Sequence, residues 1–378
     1  MNENKKTVVL GLSGGVDSAV SAYILKKQGY NVIGVFMRNW DSEVNNDIKG
    51  NKTLDDEKCS QEFDYDDAKK VAKQLDIKIE RIDFIKEYYN KVFQKSLDMW
   101  NKGITPNPDV LCNKYIKYGD FIEEVNKKFK PDYISMGHYA AIKEIKGQKY
   151  LAISKDKHKD QTYFLAEINK DIIKKLIFPL SNLKKDEVRK IARDQNLFVA
   201  DKKDSTGICF IGERDFQKFL ENYIDVKVGD IVDIESKKIV GTHKGIVFYT
   251  IGQRRGLNLG GQEGRYFVVK KDLKNNILYV YQGTDNKYLY KKKIELTNFN
   301  YLVDSDFLKK HKFLLKKTYL VKYRHSEYIS KAKVKFGDKV SIKFVKKQRS
   351  ISEGQEAVIY TNDKNNIVIG GGYISKIF

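Results

Sequence analysis

The stretch Thr7-Val8-Val9-Leu10-Gly11-Leu12-Ser13-Gly14-Gly15-Val16-Asp17-Ser18 decides the fold of the first part of this chain. Its apolar beginning predicts a buried β-strand, and the glycine pair after it predicts a tight turn into a helix. Adjacent glycines let the backbone approach phosphate oxygens, Ser13 and Ser18 add hydroxyl donors, and the helix points the positive end of its dipole at the anion. The stretch therefore predicts a turn that binds pyrophosphate.

Two other phosphate-binding motifs do not fit this stretch. A kinase-type loop reads GxxxxGK[ST] and a dinucleotide fold reads GxGxxG, and neither pattern is found in it. The hexapeptide Ser13–Ser18 instead resembles the PP-loop of ATP pyrophosphatases, which activate a carbonyl oxygen as its adenylate and release pyrophosphate. The resemblance implies bound ATP, and Asp17 is a candidate ligand for the accompanying magnesium ion. An ordinary glycine turn between a strand and a helix is the alternative.

Length and composition bound the class of protein. The chain has 378 residues, of which 41% are apolar, enough for two or three domains with a core in each. No apolar run approaches the roughly 18 residues needed to cross a membrane, and the N-terminus shows no signal-peptide core, so we expect a cytoplasmic protein. The net charge of +21 favours a polyanionic partner such as nucleic acid, although a genome-wide bias toward lysine explains it equally well.

Cysteine usage narrows the chemistry further. The three cysteines stand at positions 59, 112 and 209, without CxxC spacing or a nearby histidine. We therefore expect no structural zinc site and no other protein-held metal centre. An odd number of cysteines in a cytoplasmic chain also argues against a permanent disulfide framework and leaves reactive thiols open.

Hydrophobic periodicity predicts an α/β fold followed by β-rich material. From residue 7 to about residue 200, short apolar strands alternate with amphipathic helices, which predicts a parallel sheet covered on both faces. Beyond about residue 213, β-branched and aromatic runs alternate with Gly or Asn turns. We expect an α/β domain at 1–212 and two small β-rich domains at 213–285 and 286–378, with a mobile loop at 42–58.

The second cysteine lies in the stretch Thr105–Lys114. Two prolines fix a rigid turn that opens into a helix with Cys112 near its N-terminus, where the helix dipole favours a thiolate. Asp109 precedes Cys112 by three residues and is placed to exchange a proton with it or with a substrate. A helix cap followed by a buried cysteine is the alternative, and this stretch alone favours that alternative.

The third cysteine, Cys209, lies in the Gly-containing stretch Lys203–Gly212 at the junction of the two parts. Junction loops can cover or open a cleft, but a cysteine between two apolar residues equally suits a small buried side chain. The two cysteine stretches have to be weighed together. An ATP site that activates a carbonyl and two loop cysteines indicate sulfur transfer, in which one thiolate carries a persulfide and the other releases its sulfur by forming a disulfide.

Six blocks together resemble the bacterial tRNA-specific 2-thiouridylases nearly from end to end. The blocks are Gly11–Ser18, Thr105–Lys114, Gly137–Tyr139, Lys159–Leu165, Asp204–Arg214 and Thr250–Leu257. The resemblance implies that residues 1–212 are a catalytic, adenine nucleotide alpha hydrolase-like PP-loop domain. It also implies that residues 213–285 and 286–378 are tRNA-binding β domains, of which the last is a β-barrel. It also implies ATP-dependent replacement of O2 of the wobble uridine, U34, by sulfur in the tRNAs for Lys, Glu and Gln. The sulfur would come from a cysteine desulfurase or a sulfur-relay protein.

The resemblance also assigns roles to individual residues. ATP would be bound by Gly11, Leu12, Ser13, Gly14, Gly15, Val16, Asp17, Ser18, Met37 and Gly137. The target base would be held by Asn107, Pro108 and Asp109, with Asp109 as the acid/base. Cys209 would carry the persulfide, and Cys112 would free its sulfur and end in a transient disulfide with Cys209. Contacts to tRNA would come from His138, Lys159, Asp160, Gln161, Lys322, Tyr323 and Gln355.

Two other functions remain open on the sequence. Another PP-loop ligase or amidotransferase would need neither Cys112 nor Cys209. A non-catalytic tRNA-binding protein would have no use for an ATP site and paired thiols. The family commonly has arginine at position 322, so the lysine of this chain would make a point-charge contact in place of a bidentate one.

Overall fold

The computed structural model of the protein describes residues 5–53, 56, 59–204, 211, 214–259, 264–283, 287–314, 318–326 and 328–378. Its first part is built on a five-stranded sheet of order β3-β2-β1-β4-β7, in which all neighbours pair in parallel. The strands are β1 (Thr7–Gly11), β2 (Asn31–Arg38), β3 (Lys78–Asp83), β4 (Tyr133–Ser135) and β7 (Leu176–Ile177). The α/β prediction is confirmed.

Helices cover both faces of this sheet, because alternate residues of β1 enter two different cores. Val8 and Leu10 pack with one group of helices and Val9 with the other, as the period of two along a strand requires. The first group is α1 (Val16–Lys27), α2 (Ser60–Gln74) and α7 (Lys185–Asp194). The second group is α3 (Ile85–Tyr88), α4 (Gln94–Asn101), α5 (Pro108–Cys112) and α6 (Phe121–Phe129).

Short irregular helices and one hairpin complete the first part. π-helical segments at Tyr89–Phe93 and Asn113–Asp120 join α3 to α4 and α5 to α6. Strands β5 (Ala141–Ile145) and β6 (Gln148–Ala152) form an antiparallel hairpin between β4 and β7 along the chain. Two 3-10 segments, Thr162–Leu165 and Lys170–Lys175, follow it. The helices in the described part of the chain include none that is long and apolar enough to span a bilayer.

The central part begins with α8 (Phe216–Leu220) and contains a four-stranded sheet of order β10-β11-β8-β9. Its strands are β8 (Gly229–Asp233), β9 (Ile239–His243), β10 (Tyr266–Asp272) and β11 (Ile277–Gln282). Only the β11–β8 pair within this sheet is parallel. A 3-10 segment at Ile246–Phe248 follows β9.

The C-terminal part is a closed six-stranded barrel, and the predicted β-barrel is confirmed. Its order is β12-β15-β14-β13-β16-β17, and β12 pairs with β17 to close it. The strands are β12 (Tyr290–Tyr301), β13 (Tyr319–Lys322), β14 (Ser330–Lys335), β15 (Val340–Arg349), β16 (Glu356–Tyr360) and β17 (Val368–Ile377). Helix α9 (Ser305–Leu314) follows β12 along the chain.

Residues 42–51 are packed against the segment that enters the central part, so the expectation of a mobile loop is wrong for them. Arg214 Nε donates to Asp47 Oδ2 over 2.9 Å, and the two side chains are 4% and 0% exposed. Asn51 forms a β-bridge with Arg214, and the Tyr223 hydroxyl donates to the carbonyl of Asn45 over 2.8 Å. The polar composition was misleading because several of its polar groups, such as Asp47 and the carbonyl of Asn45, have hydrogen-bond partners within the protein.

The buried Asp47–Arg214 pair gives a stability prediction. Asp47→Ala removes a buried carboxylate that the Arg214 guanidinium contacts, so we expect the free energy of unfolding to fall by about 3–5 kcal/mol. Urea unfolding followed by circular dichroism measures this change. Glu43→Ala, at an exposed position of the same segment, is the matched control and should stay within about 0.5 kcal/mol of the parent protein. A loss of less than about 1 kcal/mol in Asp47→Ala contradicts an anchoring role.

Candidate active site

The turn between β1 and α1 is closed by two serines and opened toward a ligand by two glycines. Ser13 N–H donates to Ser18 Oγ over 3.2 Å, and the two Oγ atoms lie 3.2 Å apart. Gly14 has a φ of +73°, and a Cβ there would lie 2.2 Å from the carbonyl oxygen of Asp64. Gly15 is the N-cap of α1 and has no side chain to accept from the first amides of the helix. Those amides are therefore left for an anion.

Met37 and Gly137 lie beside this turn, at the ends of β2 and β4. A Cβ on Gly137 would lie 2.9 Å from the Ser18 nitrogen, and a Cβ on Gly11 would lie 3.1 Å from Met37 Cε. The structure thus brings the residues expected to bind ATP together at the carboxyl edge of the parallel sheet. Ligands of open α/β sheets bind at this edge, so the geometry suits a nucleotide.

Asp17 is engaged by two protein donors. Lys185 Nζ lies 2.8 Å from both carboxylate oxygens, and the Tyr139 hydroxyl donates to Oδ1 over 2.9 Å. Burial, and then the Asp17 carboxylate, raise the pKa of Tyr139 far above its ordinary value of 10, so this phenol stays a donor. The described residues contain no group of three or more His, Cys, Asp or Glu side chains able to hold a metal ion. Asp17 therefore fits only a magnesium ion that brings nucleotide phosphates as its other ligands.

The turn at Thr105–Asn107, which leads into the residues expected to hold the base, is contacted from all three parts of the chain. The Asn107 side chain caps α5 by accepting from the Val110 N–H over 3.4 Å. Gln355 Nε2, from the barrel, donates to the Thr105 and Pro106 carbonyls over 3.0 and 3.1 Å. Thr250 of the central part places its Oγ1 3.3 Å from that of Thr105. Tertiary contacts therefore fix the shape of this turn.

Cys112 and Asp109 share the short helix α5. Asp109 lies in the first turn, and Cys112 is the last residue and only 1% exposed, within the core of this domain. The structure thus places Cys112 in a buried position, as the helix-cap alternative expects. Cys209, the other cysteine of the predicted pair, lies outside the described residues.

A buried acidic pair lies close to this helix. Lys114 Nζ contacts Glu167 Oε2 over 2.9 Å, and Glu167 and Glu356 are 3% and 0% exposed. Neither carboxyl oxygen of Glu356 has a hydrogen-bond partner among the described residues. Burial raises the pKa of Glu356 well above its ordinary 4.5, and the neighbouring Glu167 raises it further. The Glu356 carboxyl therefore keeps its proton to a higher pH than a solvent-exposed glutamate does.

Four residues that the resemblance assigns to tRNA are engaged inside the protein. His138 is 8% exposed, and its Nδ1 lies 2.8 Å from the Tyr118 hydroxyl. Burial, and then Lys117, lower the pKa of His138 well below 6.5, so its ring is neutral. Gln161 Oε1 accepts from the Tyr139 N–H over 2.9 Å, and the buried Tyr323 donates to the Arg349 carbonyl over 3.4 Å. The fourth, Gln355, bonds to the turn described above.

The remaining three residues of that set form ion pairs. Asp160 and Lys322 make a fully buried pair, with side chains 0% and 1% exposed and the Lys322 Nζ 2.9 Å from Asp160 Oδ2. Thr162 also donates to this carboxylate, over 2.7 Å. Lys159 is about half exposed and contacts Asp204 over 3.2 Å. The tRNA roles of all seven residues stay predictions, and the described conformation presents Lys159 most openly to solvent.

Sequence reasoning assigned no role to several residues that shape this site. Lys185 contacts Asp17 across 168 positions, and Glu356 lies beside Lys114 although the two are far apart in the chain. Tyr139 and Asp204 fall inside recognised sequence blocks, which was a usable signal. Lys185 and Glu356 lie outside those blocks, in ordinary helix and strand patterns, and carried no such signal.

The fold defines a class of three-domain proteins. In this class a parallel α/β sheet with a phosphate-binding turn is followed by a small mixed sheet and then by a β-barrel. Three family models match this arrangement in order. The "tRNA methyl transferase HUP domain" matches residues 6–213, and the "tRNA methyl transferase PRC-barrel domain" matches residues 217–282. The "Aminomethyltransferase beta-barrel domain" matches residues 291–374.

Two curated relatives extend the match over the whole chain. The "tRNA-specific 2-thiouridylase MnmA" of Mycoplasmopsis synoviae (strain 53) is 50% identical, covering 100% of this chain and 98% of the relative. The protein of the same name from Mycoplasma capricolum subsp. capricolum is 48% identical, covering 99% of each. The chain belongs to the tRNA-specific 2-thiouridylase family.

Solved structures resemble the chain only distantly. One is a "4-thiouridine synthetase - RNA complex with bound ATP", with a TM-score of 0.31 and 12% identity. The match covers 57% of this chain and 50% of the synthetase chain. A likeness this weak carries no inference about the ligands of this protein.

The protonated state of Glu356 gives a pH prediction. The folded protein keeps this proton well above pH 4.5 and the unfolded chain does not, so the folded state loses stability as the pH rises. Glutamine has no proton to lose. We expect the unfolding free energy of Glu356→Gln minus that of the parent to rise between pH 5 and pH 7, by at most about 1.4 kcal/mol per pH unit.

Urea unfolding at the two pH values measures this difference. Glu353→Gln, at an exposed position three residues earlier, is the matched control and should show no such rise. The groups that face Glu356 are Glu167, Lys114, Tyr163 and Tyr373, and both variants keep them. An equal difference at both pH values means that Glu356 is ionised in the folded protein.

Proposed function

We propose that this protein transfers sulfur to position 2 of the wobble uridine, U34, of tRNA and consumes ATP in doing so. Membership of the 2-thiouridylase family over the full length of the chain carries the proposal. The phosphate-binding turn supports the ATP half of the reaction. The Asp109–Cys112 helix supports the sulfur half, because the turn that leads into it is contacted from the central part and from the barrel.

ATP is needed because a uracil carbonyl is a poor electrophile. In the first step O2 of the uridine attacks the α-phosphorus of ATP, the bond to the β-phosphate breaks and pyrophosphate leaves. Asp109 accepts the N3 proton, and the amides at the beginning of α1 receive the leaving phosphates. Magnesium, held by Asp17 and the phosphates, would neutralise charge on the leaving group.

The second step replaces the activated oxygen by sulfur. The terminal sulfur of a persulfide on Cys209 attacks C2, and AMP leaves with the oxygen. The Cys112 thiolate then attacks the inner sulfur of Cys209, which breaks the S–S bond, leaves the outer sulfur on C2 and closes a Cys112–Cys209 disulfide. Asp109 returns its proton to N3 and is ready for the next cycle. A dithiol reductant reopens the disulfide, and a cysteine desulfurase or sulfur-relay protein reloads Cys209.

The division of labour between domains is also part of the proposal. Residues 1–212 would activate the base and contact the tRNA through residues such as Lys159. The parts at 213–285 and 286–378 would hold the tRNAs for Lys, Glu and Gln. The limits of the three matched family models, 6–213, 217–282 and 291–374, support this division. A cytoplasmic location suits the reaction because its thiols need a reducing compartment.

The first test is mass spectrometry of nucleosides from tRNA incubated with the protein, ATP, magnesium, cysteine and a cysteine desulfurase. We expect 2-thiouridine with the parent protein and with Cys59→Ala, which is the matched cysteine control. Cys112→Ala, Cys209→Ala and Asp109→Asn should each lose about 100-fold or more in rate. ATP cleavage to AMP without any 2-thiouridine favours another PP-loop ligase or amidotransferase. If the parent shows neither reaction, a tRNA-binding protein is the better interpretation.

The position of Lys322 gives a second test. Because its ammonium is buried against Asp160, we expect Lys322→Met to leave the salt dependence of tRNA binding unchanged. A phosphate contact by Lys322 would lower the slope of log Kd against log salt by about 0.9. Filter binding over a salt series measures the slope, and thermal unfolding checks that the variant is folded. A lowered slope contradicts the buried position and supports the contact that the resemblance implies.

A further inference from the structure

Three basic side chains converge on Asp204 beside the phosphate-binding turn. Lys185 Nζ lies 2.9 Å and Arg189 NH2 lies 2.7 Å from Asp204 Oδ1, and Lys159 Nζ lies 3.2 Å from Oδ2. The same Lys185 ammonium lies 2.8 Å from both oxygens of Asp17, inside the turn itself. One ammonium group thus joins two carboxylates, one of which belongs to the nucleotide-binding motif.

Both lysines of this cluster, Lys159 and Lys185, are positioned by one buried carboxylate. Asp156 is 8% exposed and accepts from the backbone N–H of Lys185 over 2.9 Å and from those of His158 and Lys159 over 3.1 Å each. Burial alone would raise the pKa of Asp156, but these three donors lower it, so it stays ionised. Asp156 therefore fixes the points from which the Lys159 and Lys185 side chains begin. Their convergence on Asp204 is built into the backbone.

Asp204 serves as an anion that remains open to solvent. Burial alone would raise its pKa, but hydrogen bonds from Lys185 and Lys159 lower it to about 2. Its side chain is 40% exposed, whereas that of Lys185 is 12% exposed. An incoming anion can therefore reach the Asp204 side of the cluster and compete for the lysine. Asp204 would keep Arg189 and Lys159 as partners after losing Lys185.

We propose that Lys185 binds the β- and γ-phosphates of ATP, and afterwards the pyrophosphate product, and that Asp204 is the internal anion which these phosphates displace. This role rests on the proposed function, because pyrophosphate is the leaving group of the proposed adenylation step and Lys185 would receive it. The Lys185 ammonium already contacts a residue of the phosphate-binding turn, so it changes partner without a backbone movement. A polyphosphate carries more negative charge than one carboxylate, so it competes well for an ammonium group.

Isothermal titration calorimetry tests whether Lys185 binds these phosphates in competition with Asp204. The full-length protein is titrated with ATP, inorganic pyrophosphate and AMP, each with magnesium. We expect Lys185→Met to weaken binding of ATP and pyrophosphate by about tenfold or more and to leave AMP binding within about twofold. Asp204→Asn should tighten ATP and pyrophosphate binding by about threefold to tenfold, because it removes the competing charge. Lys190→Ala, an exposed lysine on the same helix that pairs with Asp194, is the matched control and should change neither.

The opposite signs of the two variants separate a phosphate-binding role from a structural one. Thermal unfolding checks each variant, and Lys185→Arg, which keeps the charge, should bind ATP within about threefold of the parent. Unchanged ATP and pyrophosphate binding in Lys185→Met overturns the inference, and so does weaker binding in Asp204→Asn or a parent protein that binds neither ligand.

Failure of the proposed function is distinguishable from failure of this inference. A parent protein that yields no 2-thiouridine, with variants that change ATP binding as expected, removes the function and keeps the phosphate site. A parent that thiolates tRNA, with a Lys185→Met variant that binds ATP and pyrophosphate normally, removes only the phosphate site.

Discussion

The close approach of three backbone segments at the β1–α1 turn is the constraint on which the rest of the site depends. Gly14 touches the carbonyl of Asp64, and Gly137 touches the Ser18 nitrogen, at distances that a Cβ atom would not allow. Because these contacts hold the turn between α2 and the end of β4, the first amides of α1 point outward from the sheet edge. An anion can then bind there without any rearrangement of the backbone.

The second constraint is the turn before α5, which the first domain does not stabilise alone. Gln355 holds two of its carbonyls, and Gly354 packs so tightly on Ile104 that a Cβ there would lie 1.9 Å from Ile104 Cγ2. The barrel is thus in direct contact with the segment that leads to Asp109 and Cys112. The position of that segment therefore depends on the barrel as well as on the first domain.

A few buried carboxylates set the positions of important lysine and arginine residues in this basic protein. Asp156 orients two lysines toward the phosphate-binding turn, Asp160 holds Lys322 inside the barrel junction, and Asp47 holds Arg214. A net charge of +21 therefore does not describe one uniform surface for RNA. Some of the 71 lysine and arginine side chains are buried in the fold beside a carboxylate, because a buried cation needs such a partner.

The sequence by itself determined the phosphate-binding turn, the parallel α/β sheet, the C-terminal barrel and the helix that carries Cys112. The turn, the strands and the helices follow from short-range rules, since glycine freedom, strand alternation and helix periodicity act over a few residues. The barrel was expected from the resemblance of the six sequence blocks to a known family. Only the tertiary structure decided that Lys185 meets Asp17, that Lys322 is buried against Asp160, and that Gln355 bonds to the Thr105 turn, across 168, 162 and 250 positions. The positions of polar and charged residues along the chain do not reveal which distant residue each one contacts. Such a pair is known only once the fold has brought its two side chains together.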